Sequence, residues 1–150
     1  MTKRDFLKIL AEIIDNSKIG VLAAVGADNS PSMRWMTPGL LKDREGAIYA
    51  LTSKSFSKVS QLKKNRNVEW QIQTRALDKI ATIKGEMNLI DNSSLKKEVI
   101  ETIGVRLNVF WKVNNDPSSL IVLETVISEG RLFQPMKGLR DIVSFTEEDA

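Results

Sequence analysis

Neither cysteine nor histidine occurs among the 150 residues of this chain. Their absence removes disulfides, thiolate nucleophiles, zinc sites of the usual kind, histidine-ligated haem and imidazole acid–base catalysis together. Acidic residues are scattered singly apart from Glu147-Glu148-Asp149, which reads as a solvated end and not as a metal cage. Long apolar runs are missing too. No stretch approaches the ~20 residues of a membrane span, and Met1 to Asp15 alternates charged with apolar residues, unlike an export signal. Without such a signal and without cysteine, the expected compartment is the cytoplasm, with no membrane partner. Repeats and glycine- or proline-rich segments are also lacking, so disorder is expected only at the ends.

What is present is an ordinary globular balance, 42% apolar and 27% charged. A chain of this length fits one domain, residues 1–150, able to bury roughly 70% of the surface its unfolded form exposes. The formal charge of +3 is too small to imply a nucleic-acid partner by itself.

Thr2 and Asp5 resemble a capping box, and Phe6, Leu7, Leu10, Ile13 and Ile14 recur at helical spacing, predicting an amphipathic helix over 3–15. Residues 19–25 read as a buried strand, 26–30 as a turn, and Pro31 to Thr37 as the return strand, with Ser32, Arg34 and Met36 on one face and Met33 and Trp35 on the other. Pro38-Gly39 ends or bulges it. A third strand is expected over 47–52, a helix over about 55–65, and two strands over 68–74 and 79–90. Gly85 inside the last of these suggests a bulge or a close backbone approach. A helix over about 94–103, stopped by Gly104, precedes the last clear strand, 120–127; Phe110 and Trp111 fall in a loop or short helix between them. Strands joined by short turns, with helices outside, predict a mainly β (α+β) fold: a six-stranded antiparallel split or closed barrel.

The stretch with most chemistry in it is Leu51-Thr52-Ser53-Lys54-Ser55-Phe56-Ser57-Lys58, where an apolar strand ends in hydroxyls and ammonium groups and a helix opens. Free amides at a helix start, with the positive end of the macrodipole behind them, favour an anion, and a phosphate above all. Between Gly46 and Val68 there is no acidic residue, so Lys54, Lys58, Lys63, Lys64 and Arg66 make a local positive field.

Arg34-Trp35-Met36 on the second strand, then Tyr49-Ala50-Leu51-Thr52-Ser53-Lys54 and Ser57-Lys58-Val59 on the third and its helix, form a set. That set resembles the FMN-binding split-barrel family, the pyridoxamine 5'-phosphate oxidase-like proteins, and within it the short general-stress-protein branch. The likeness covers roughly residues 5–128. It implies an FMN site in which Arg34, Trp35 and Met36 meet the isoalloxazine and phosphate side, while Thr52, Ser53 and Lys58 hold the phosphate; Leu51, Ser57 and Trp111 complete the expected cofactor-binding set. It also implies a homodimer with FMN at the subunit interface; Trp111, Phe110 and Gly130-Arg131-Leu132-Phe133 are the candidates for partner-side contacts. Ser57 stands where the true oxidases tend to carry Arg, and their Trp-Arg-x-x-Arg-Leu-x-Pro ending is missing. Oxidation of pyridoxamine phosphate is therefore not expected.

Taken singly, Arg34 can equally pair with Glu69 or Glu86 at the barrel rim, and Thr52 and Ser53 can cap a helix with nothing bound. The basic cluster can be a solvated helix face. The leading functional expectation is an FMN-dependent oxidoreductase acting on an unknown small molecule, since the flavin itself carries the redox chemistry and no histidine or cysteine is needed. The alternatives are a flavin carrier without turnover, a deazaflavin protein, and a nucleic-acid-binding barrel. The last is disfavoured because only Phe56 lies among the basic residues to stack on a base.

Overall fold

The computed structural model describes residues 1–54, 64–104 and 119–146. The expected helix over 55–65, together with Ser57, Lys58, Phe110 and Trp111, therefore lies almost wholly or wholly outside the described residues.

Helix α1, Lys3–Ser17, starts on the expected capping box: the Asp5 amide donates to the Thr2 hydroxyl at 3.0 Å and the Thr2 amide to the Asp5 carboxylate at 3.2 Å. It runs two residues further than its apolar pattern and ends at Lys18, whose φ of 69° is left-handed. Phe6, Leu10, Ile13 and Ile14 are its buried face. The strands are β1 (Gly20–Val25), β2 (Pro31–Met36), β3 (Ala47–Ser53), β4 (Asn67–Gln73) and β5 (Ile80–Ile90), followed by helix α2 (Ser93–Ile103), β6 (Leu120–Gln134) and β7 (Leu139–Ser144).

All pairings are antiparallel, in the order β2-β1-β4-β5-β6-β3, with β7 added to the far half of β6. The split-barrel expectation holds, with two corrections. There are seven strands and not six, because β6 continues past the expected end at 127 through the polar run Ser128-Glu129-Gly130-Arg131 and then pairs with β7. In β7 only Val143 is buried, so no alternation announced it. The second correction concerns β2 and β3, which as consecutive strands joined by a short connection would be antiparallel neighbours: they are the two ends of the ladder, which is not closed. One bridge ties these ends. Gly39, three residues past β2, exchanges two 2.8 Å hydrogen bonds with Tyr49 in β3.

The inner side of the sheet, covered by α1, holds the larger core, including Phe6, Leu22, Ile48, Trp70, Ile83 and Leu123. Trp70 is fully buried and its Nε1 donates to the buried Thr125 hydroxyl at 3.0 Å. A second core lies under α2 on the opposite side of β3 and β6, where Tyr49, Leu51 and Val122 meet Leu95, Val99 and Ile103. Gly85 fulfils both halves of its expectation. The β5–β6 register slips between Lys84 and Gly85, and a Cβ at Gly85 would stand 2.3 Å from the Val126 carbonyl oxygen.

Candidate functional site

Of the candidate cofactor residues singled out above, the described ones lie on or just beyond β2 and β3, the two ends of the ladder. Alternation along β3 puts Thr52 on the side of Ile48 and Ala50, which belong to the larger core; in β2, Arg34 sits opposite Leu22, a residue of the same core. Arg34 and Thr52 therefore project from the inner side of the sheet at its two free ends.

Thr52 is 1% exposed, and its hydroxyl has no hydrogen-bond partner among the described residues. Leaving a buried hydroxyl unpaired costs about 1–3 kcal/mol, a burden that an arriving acceptor would lift. Arg34 is half-buried; its one described contact is a long 3.4 Å approach to the Ser32 hydroxyl. It pairs with neither Glu69 nor Glu86 among the described residues, and Glu86 instead faces Arg66 at 3.7 Å. Among the described residues the half-buried Arg34 guanidinium meets no carboxylate and the buried Thr52 hydroxyl meets no acceptor, and both are donors suited to an anion. The donor set fits the phosphate of a flavin.

The other candidates divide. Ser53 is buried but on the opposite side of β3 from Thr52, so the two hydroxyls do not act as one pair of side chains. Leu51 packs into the core under α2. Met36 is partly buried against the inner core, whereas Trp35, at 77% exposure, and Met33 point outward. Lys54 is engaged: its ammonium lies 2.7 Å from Asp91, which also receives Lys96 at 3.1 Å, and these bonds hold the Asp91 carboxyl below its usual value. Of the segment Gly130-Arg131-Leu132-Phe133, a candidate for partner-side contacts, Leu132 is buried within the protomer in β6 and Gly130 lies against the Phe6 ring. Only Arg131 and Phe133 stay available to a partner.

One group on the other side of β3 was not anticipated. The Tyr49 hydroxyl, from the strand that carries Thr52, donates to Glu124 Oε2 at 2.7 Å, and Asn88 Nδ2 donates to Glu124 Oε1 at 3.0 Å. Asn88 Oδ1 in turn accepts from Arg66. The available signal was a glutamate inside the apolar run Leu120-Ile121-Val122-Leu123-Glu124 and an asparagine late in a strand, both poor strand residues. Burial, then the hydrogen bond and charge of Glu124, push the Tyr49 hydroxyl well above the ordinary tyrosine range. A group whose folded pKa is raised contributes stability that is present below its unfolded value and lost as pH rises through the folded one. Wild type should therefore exceed Tyr49→Phe in stability at neutral pH, with the difference shrinking above about pH 10. Denaturant titrations of both proteins at pH 8 and pH 11 measure it; a constant difference would refute the assignment.

Comparison with known proteins agrees with this frame. The family model described as pyridoxamine 5'-phosphate oxidase like matches residues 5–141. The chain belongs to that family. A protein related to general stress protein 26, of the pyridoxinephosphate oxidase family, from Clostridium acetobutylicum superposes with a TM-score of 0.74 at 16% identity, over 97% of both chains. A pyridoxamine 5'-phosphate oxidase-related, FMN-binding protein from Nostoc punctiforme gives 0.67 at 13% identity, over 93% of this chain and 96% of that one. A haem-binding protein from Mycobacterium smegmatis gives 0.70 at 17% identity, over 88% of this chain and 55% of that one. At these identities the likeness shows the fold alone. No curated protein sequence matches the chain.

Proposed function

We propose that this protein binds FMN at the split between β2 and β3 and serves as an FMN-dependent oxidoreductase on a small molecule. The observation that carries the reading is the buried Thr52 hydroxyl, without a partner among the described residues, on the sheet side it shares with the half-buried Arg34. Bound FMN supplies hydride or electron transfer. The chain's own part is to hold and orient it: Thr52 donates to a phosphate oxygen, Arg34 neutralises charge, and Ser57 and Lys58, in a stretch free of acidic residues, add a hydroxyl and a cation. Ser57 in place of the oxidases' arginine separates this protein from the true pyridoxamine-phosphate oxidases. Haem has structural precedent in the fold, but this chain has no histidine to ligate its iron.

The exposed Met33 and Trp35 give the outer side of β2 an apolar surface, which supports a homodimer in which the second copy, with its Trp111, completes the flavin site. The protein is expected to work in the cytoplasm. The test is the visible spectrum after adding FMN and removing the excess by gel filtration. Flavin bands co-eluting at one per chain are the expected result, and a colourless protein would sink the reading. Reduction by NADH or NADPH with quinone or nitro acceptors then separates an oxidoreductase, which turns over, from a carrier, which does not.

A further inference from the structure

Strand β3 lacks the signal that usually fixes a strand's register. All 7 of its residues are buried, and it is apolar toward both sides: Ile48 and Ala50 enter the larger core, while Ala47, Tyr49 and Leu51 enter the core under α2. Its partner β6 is no more selective there, with Leu120, Ile121, Val122 and Leu123 buried in succession. A one-residue slip turns every side chain to the other face. Apolar alternation opposes such a slip only where the two faces differ, and here they do not. β3 also lies at the end of the ladder. Among the described residues β6 is its one strand partner, and the Gly39↔Tyr49 bridge is its one other pairing.

One polar row crosses this apolar stretch. Tyr49 and Glu124 are register partners, and so are Glu124 and Asn88, so the three side chains stand abreast on β3, β6 and β5. Glu124 offers one carboxylate oxygen to each neighbour: Oε2 accepts from the Tyr49 hydroxyl at 2.7 Å and Oε1 from Asn88 Nδ2 at 3.0 Å. We infer that this row is a register lock, holding β3 against β6 in the one alignment that satisfies the Glu124 carboxylate on both sides. Shifted by one residue, β3 carries the Tyr49 hydroxyl into the larger core, away from Glu124, and leaves a half-buried carboxylate with Asn88 alone. Shifted by two, the faces are kept but Ala47 or Leu51 stands opposite Glu124, and neither side chain has a donor. Backbone ladder bonds form in each of these alignments and do not choose among them. The polar row does. The choice extends to the end of the strand: Thr52 faces the inner side and Ser53 the other in the observed register, and a one-residue slip exchanges them.

A lock of this kind contributes uniqueness more than stability, which separates it from an ordinary stabilising network. The test replaces the whole row by apolar side chains, Tyr49→Phe, Glu124→Leu and Asn88→Leu together, and compares it with Tyr49→Phe alone, which releases only β3. Cross-strand NOEs between β3 and β6 read the register, and thermal unfolding reads the stability. Wild type should show one set of NOEs, matching the pairs Tyr49↔Glu124 and Ala50↔Leu123. The triple variant should unfold at or above the wild-type midpoint and yet show a second set of β3 resonances, from a slipped alignment, in roughly 10% or more of the molecules. Tyr49→Phe should show the same second set, and as the milder change it reads the register even if the triple variant does not fold. Native NOEs alone in the triple variant would overturn the lock. So would a Tyr49→Phe protein that loses stability while β3 keeps a single, native register, because the row would then stabilise the fold without selecting it.

Discussion

Replacing Gly85 by alanine is expected to cost about 3 kcal/mol of folding stability, a large effect for one methyl group. The built Cβ stands 2.3 Å from the Val126 carbonyl oxygen, 3.1 Å from that carbonyl's carbon and 2.9 Å from the Thr125 side chain. Two of those three neighbours are backbone, so the strain cannot be relieved by turning a flexible side chain. The position also lies at the register slip between β5 and β6, flanked by the pairs Lys84↔Glu129 and Gly85↔Ile127. Moving either strand there disturbs the ladder on both sides of the bulge. Gly46 is the control, because its φ of +83° penalises alanine while nothing lies within 4 Å of the added carbon. Gly46→Ala should lose about 1 kcal/mol from conformation alone. Urea midpoints at constant m-value read both numbers. Equal losses would mean that close approach of backbone is not what the bulge glycine serves.

Gly85 illustrates what the sequence makes legible. A glycine in an otherwise strand-like run has few reasons to exist, and both were visible in advance. The same holds for Thr2 and Asp5, where hydroxyl, carboxylate and spacing permit little else, and for the alternation of Arg34 with Trp35, which the fold reproduces as one half-buried and one exposed side chain. Pairing order was not legible in the same way. Nothing in Pro31 to Thr52 says that the chain leaves β2, forms only the bridge Gly39↔Tyr49, and then joins β6 from across the sheet, because that choice is made by packing between distant residues. Leu132 was misread for the same reason. Its burial depends on β5 and β7 lying on both sides of it, and β7 carries no periodic signal of its own. In the candidate site, residue types and approximate grouping could be read from sequence, but the facing of each side chain could not. Thr52 and Ser53 look equivalent as letters, and the pleat sends them to opposite sides of β3.

That separation leads to the second large effect, which has opposite signs in the two states of the protein. Thr52→Val keeps the shape of the side chain and deletes the hydroxyl that has no partner among the described residues. In the flavin-free protein the substitution removes an unsatisfied buried polar atom, so stability should rise by about 1 kcal/mol. With FMN present, the same hydroxyl is the donor proposed for a charged phosphate oxygen, and its loss should weaken binding by about 1.5–3 kcal/mol, or roughly tenfold or more. Arg34→Ala should weaken FMN by a similar amount. It should leave the flavin-free stability nearly unchanged, since its one described partner is Ser32 at 3.4 Å. Ser53→Ala is the internal contrast, lying on the far side of the strand and expected to change FMN affinity less than Thr52→Val does. Thermal unfolding without flavin and fluorescence titration with it provide both readings on each variant. A Thr52→Val protein that is less stable without flavin would show that the hydroxyl already has a partner in the fold. One that is more stable but binds FMN as wild type does would move the phosphate away from β3 and leave Arg34 to be tested with a different anion.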